Sequence, residues 1–167
     1  VLAEAEAALT EAAEDPELLA LAARAAAASG DMLRAERWLS SAEGPAIRLE
    51  RARLHLAGDR IDEALALLLA PGEPPRPRHP ERADGWILAG RALARAGELE
   101  RARPLLEQMI ARFPHDDEAP AALHLLAQAA ITRGDLESAR ELRDRATSSA
   151  RWRAFFDVRR RQSLEHP

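Results

Sequence analysis

Cysteine, lysine, asparagine and tyrosine are all missing from these 167 residues. Without cysteine there is no disulfide, no thiolate metal site and no thiol nucleophile. Without lysine, all 24 basic side chains are arginine. Selection for guanidinium chemistry would produce this, and so would the codon bias of a GC-rich bacterial genome. The second cause is the plainer one, and it leaves a lone arginine with little functional meaning. Aromatic residues make up only 4% of a chain that is 47% hydrophobic, so its apolar content is mostly alanine and leucine. Both favour helices, and β-branched residues are sparse, so the composition predicts an all-α protein. No apolar run reaches the roughly 18–20 residues that a membrane-spanning helix needs, which argues against membrane insertion. A net charge of -4 gives no global attraction to nucleic acid. The chain starts at Val1 directly in helical pattern, without a signal segment. That reads as a piece of something longer, and the compartment stays open with the cytoplasm favoured.

What is present is self-similar. Gly30, Gly58, Gly97 and Gly134 sit in matching contexts, SGDMLRAERWL, AGDRIDEALAL, AGELERARPLL and RGDLESARELR. Each glycine is followed by an acidic residue and then by a small alanine: Ala35, Ala64, Ala102 and Ala139. Glycine ends one helix in a left-handed conformation, and the acidic residue caps the next or favours its positive end. The alanine fits where two helices come close. The glycine spacings of 28, 39 and 37 residues describe a period near 34 with one shortening and two insertions.

The stretch WILAGRALARAGELERARPLLEQMIARFP carries the pattern most fully. Trp86, Ala89, Gly90 and Leu93 form a first-helix signature, and Ala102, Leu106 and Pro114 a second-helix one. On these residues the chain resembles the tetratricopeptide repeat family, with leucine in place of both signature aromatics and Ala89 in place of the signature leucine. The fourth copy shows Leu123, Leu126, Ala127, Ala130, Ala139 and Ala146, with Arg143 where the family has an aromatic, a sign of a frayed or covered second helix. The first shows Leu19, Ala22, Ala23, Ala26, Ala35, Leu39 and Ala42. The second is degenerate: Glu50 and Arg51 occupy the Leu-Gly pair, and Pro71 stops its second helix early. The resemblance implies a right-handed α-α superhelix, a solenoid of helix hairpins. Its expected segments are a truncated repeat's second helix at 1–15, repeats at 16–43, 44–71, 81–114 and 115–149, a proline-rich connector at 72–80, and a capping helix or further repeat at 150–167.

Chemistry has little support in the pattern. There is no Gly-rich phosphate loop, no H-E-x-x-H and no G-x-S-x-G. The histidines at 55, 79, 115, 124 and 166 lack metal-ligand spacing, and His115-Asp116-Asp117-Glu118 falls at a turn where acids cap the next helix. The chain is expected to be no enzyme and to carry no cofactor or metal. The resemblance points elsewhere, since first helices in this family line a concave groove along which peptides lie. The matching residues are Arg24, Arg48, His55, Arg91, Arg95, His124 and Gln128. Their cationic bias favours an acidic segment or a C-terminal carboxylate, yet the same residues also read as an ordinary solvated arginine face. The chaperone-tail clamp of some members needs Lys and Asn at first-helix places that hold Ala20, Arg24, Leu49, Asp84 and Leu88 here, which excludes it. The implied role is a protein–protein interaction scaffold binding a peptide or partner domain. The alternative is a regulatory or sensor module of a larger ATPase, kinase or transcription regulator. Oligomeric state is open.

Two segments invite other readings. PGEPPRPRHP, residues 71–80, spells P-x-x-P-x-R, which suits an SH3-like groove, but it lies between repeats and reads as a connector. At the C-terminal end Arg151, Arg153, Arg159, Arg160 and Arg161 interleave with Trp152, Phe155 and Phe156. Basic-plus-aromatic suits single-stranded nucleic acid, whereas at helical spacing the aromatics face inward as a cap and the arginines become a solvated rim.

Overall fold

The computed structural model describes residues 15–148. All but the last residue of the expected helix at 1–15, and the whole expected segment 150–167 with its aromatic and arginine cluster, lie outside them. The fold is all-α: α1 (Pro16–Ala28), α2 (Met32–Ser40), α3 (Pro45–Ala57), α4 (Ile61–Leu68), α5 (Ala83–Arg95), α6 (Leu99–Arg112), α7 (Ala119–Thr132) and α8 (Leu136–Ser148). Two short extended segments, β1 (Leu69–Ala70) and β2 (Arg76–Pro77), stand between α4 and α5. The chain divides into two compact units after Ala70, at the start of the proline-rich stretch.

Local chemistry accounts for the helix ends. Asp15 caps α1, its carboxylate accepting from Glu17 N at 2.9 Å, and Pro16 opens the helix where no N–H is needed. Pro45 opens α3 in the same way after Gly44. Asp31 and Asp135 cap α2 and α8 by accepting from Arg34 N and Ser138 N, both at 3.1 Å. The hydrogen bond from Ser138 holds the Asp135 carboxyl below its ordinary value. α4 stops at Leu68 because Leu69, two residues before Pro71, is already extended. Pro104 sits inside α6 and withholds the bond its N–H would make to the carbonyl four residues back.

The turns inside the four hairpins each close with one hydrogen-bond pair, and it sets the register of the hairpin. Asp31 N reaches Ala26 O and Gly30 N reaches Ala27 O, at 2.9 and 3.0 Å. Glu98 N with Gly97 N, and Asp135 N with Gly134 N, repeat this. Gly30, Gly97 and Gly134 are left-handed there, at φ 88°, 79° and 77°. The second turn differs from expectation. Gly58 is not left-handed (φ -87°), and Asp59 takes that conformation at φ 57°. The paired bonds correspondingly shift to Arg60 N–His55 O and Asp59 N–Leu56 O. Ala64 thus follows Asp59 by the same five residues as Ala35 follows Gly30, and all four of these alanines are buried. Glycine alignment therefore misplaces the second hairpin by one residue.

In the first unit α1 packs on α2, α3 on α4, and α1 on α3. Its core comprises Leu19, Ala23, Ala35, Leu39 and Ile47, with Trp38 packed against it. In the second unit α5 packs on α6, α7 on α8, and α5 and α6 both on α7. Trp86, Leu93, Leu105, Leu106 and Met109 fill its first hairpin. The close approach of α5 to α6 is made at Gly90, where an added Cβ would overlap Leu106 Cδ2. Arg143 is exposed and pairs with Asp144, while α8 continues as helix to Ser148, so the arginine does not fray it. The proline-rich stretch is tied to the second unit. Pro75 and Pro77 are buried, Glu73 pairs with Arg101, and Trp86 Nε1 donates to Pro80 O at 3.0 Å.

Candidate functional site on the first helices

Counting back from each left-handed residue aligns the first helices. Seven residues back stand Ala23, Ala52, Gly90 and Ala127, all buried and small enough for helices to approach. Six back stand Arg24, Arg53, Arg91 and Gln128, so each first helix carries a long polar side chain at the same place. Arg53 is not among the residues that the family resemblance implies, which on this helix are Arg48 and His55. The signal that finds it is the shared five-residue step to Ala64. Arg48 lies at the place of buried Leu19, Trp86 and Leu123, and His55 at the place of buried Ala26, Leu93 and Ala130. Both are half-buried, and the His55 ring nitrogen Nδ1 accepts from Arg60 Nε at 2.9 Å.

In the first unit, Glu50 of α3 is buried, its side chain only 4% exposed, between two arginines. Arg24 reaches it from α1 with Nε at 3.0 Å and with Nη2, and Arg53 reaches it from one turn along α3 at 3.3 Å. A carboxylate taken out of water requires such partners. Half of the Arg24 side chain remains exposed. Arg51 turns the other way. Its Nε donates to Leu39 O at 3.0 Å and its Nη2 to Ala42 O at 3.1 Å, which caps the C-terminal end of α2 with a cation.

The second unit repeats the device in exposed form. Arg91 of α5 pairs with Glu118, the residue before α7, at 2.9 Å. Arg95 is exposed one turn further along α5. His124 and Gln128 lie exposed on α7 with Nε2 atoms 3.3 Å apart. The structure thus joins Arg24 to the Glu50 pair, Arg91 to Glu118, and His124 to Gln128, each within its own unit. At the turn before α7, Asp116 Oδ1 accepts from Glu118 N at 2.9 Å, and His115 is exposed. No group of three or more metal-ligating side chains converges among the described residues. No described helix is long and apolar enough to cross a membrane.

Hairpins that share one turn, one small-residue contact and one first-helix polar place define a repeat protein of paired α-helices. Comparison finds one family for this repeat: residues 93–152 match the family model of the tetratricopeptide repeat. The matched segment takes in the end of α5 and all of α6, α7 and α8. Tetratricopeptide repeats generally mediate protein–protein interactions, and the family is typically a non-enzymatic scaffold. No curated protein matches the chain.

Proposed function

We propose that this protein is a non-enzymatic interaction scaffold that binds a peptide or partner domain along the first-helix faces of its hairpins. The observation that carries this reading is the equivalent placement of Arg24, Arg53, Arg91 and Gln128, one on each first helix. Ion pairs to Glu50 and Glu118 hold three of these side chains in position before any partner arrives. Ordering them in advance lowers the entropy cost of binding. The recurrence of arginine at this place on three of the four first helices favours an acidic partner segment. His124 and Gln128 add hydrogen-bonding capacity on α7.

Selection from a displayed random-peptide library tests this. Peptides enriched for Asp and Glu are expected, and Arg91→Glu with Arg95→Glu should weaken capture by about tenfold or more while helicity is unchanged. Equal capture of the same peptides by that folded double variant would overturn the assignment.

A further inference from the structure

A second surface of the second unit has a different chemistry. α6, α7 and α8 line an open cleft of about 540 Å³, a volume suited to a small molecule rather than a protein segment. Its apolar lining comes from Ile110 near the end of α6, Leu126 of α7 and Leu142 of α8. Arg103, Arg133 and Arg145 contribute the cations and Glu107 the one carboxylate.

The charges are not equivalent. Arg103 lies between two carboxylates, with Nη1 3.3 Å from Glu107 and Nε 3.4 Å from Glu100. Arg133 pairs with the other oxygen of Glu100 at 2.9 Å. The Arg133 guanidinium also holds the Glu100 carboxyl below its ordinary value, so this ladder stays ionised at neutral pH. Two cations are thereby matched by two anions. Arg145 pairs with no carboxylate among the described residues, and it opens onto the same cleft. Such a guanidinium beside an apolar lining is complementary to one planar anion on a hydrocarbon body. Glu107 on the lining disfavours a second negative charge.

We propose that this cleft binds a small monocarboxylate with an apolar body, the carboxylate on Arg145 and the hydrocarbon against Ile110, Leu126 and Leu142. The site is independent of the first-helix face, so either reading stands or falls without the other.

Titration of the full chain with octanoate, followed by amide NMR, tests it. Saturable shifts are expected at Ile110, Leu126, Leu142 and Arg145. Arg145→Glu and Leu142→Asp should each weaken binding about tenfold or more, and Arg145→Lys should retain part of it. Arg91→Glu with Arg95→Glu should leave it unchanged. Acetate, which has the charge alone, and octyltrimethylammonium, which has the body with the opposite charge, should not saturate. A non-saturable octanoate response would overturn the proposal, as would undiminished octanoate binding by folded Arg145→Glu. Equal binding of acetate or of the cation would do the same.

Discussion

The α3/α4 and α5/α6 hairpins share a turn geometry and a register but few of the side chains that fill them. At equivalent places α5 has Trp86, Ala89, Gly90 and Leu93, whereas α3 has Arg48, Arg51, Ala52 and His55. In α5/α6 the helices meet through apolar contact, with Gly90 against Leu106. In α3/α4 the apolar role moves to Ile47, Leu49, Ala52, Leu56, Ala64 and Leu68, all buried. The polar residues of α3 bond outward instead, Arg51 to α2 carbonyls and Glu50 to Arg24 of α1. The comparison teaches that turn hydrogen bonds and one small residue define this hairpin. The large signature side chains are replaceable when a neighbouring helix supplies polar partners.

The sharpest contrast is at Trp86 and Arg48, which occupy one place in the two hairpins. Trp86→Ala should cost about 3–5 kcal/mol, because it empties a buried ring site. Arg48→Ala should cost less, about 1–2 kcal/mol, since the half-buried arginine leaves no comparable cavity. Urea denaturation of the two variants measures both, and equal losses would break the contrast. Next in size is Gly90→Ala, which drives a methyl group into Leu106 and should cost about 1–3 kcal/mol. A neutral result would show that the α5–α6 contact has slack. The smallest effect is expected at the turn. Asp59→Gly relieves a left-handed aspartate and should stabilise the second hairpin by about 0.5–1 kcal/mol, read as a rise in melting temperature.

The helices were legible because alanine, leucine and arginine leave few alternatives to helix, and because Asp15, Pro16, Gly30, Gly97 and Gly134 mark ends by local chemistry. The register of α3 was not. Gly58 follows the helix as the other glycines do, yet the left-handed residue is Asp59, and only the paired hydrogen bonds distinguish the two. That one-residue slip hides Arg53. The burial of Glu50 was also illegible in sequence. Its partner Arg24 lies 26 residues away and meets it only when α1 packs on α3.

The most direct test of this comparison removes the arginines from Glu50 in two backgrounds. Arg24→Ala with Arg53→Ala should cost about 2–3 kcal/mol, since half-exposed Arg24 moderates the penalty of stranding a buried carboxylate. With Glu50→Met already in place, the same pair of substitutions should cost less than about 0.5 kcal/mol by urea denaturation. An equal loss in both backgrounds would contradict the claim that these arginines stabilise the first unit through the buried charge of α3.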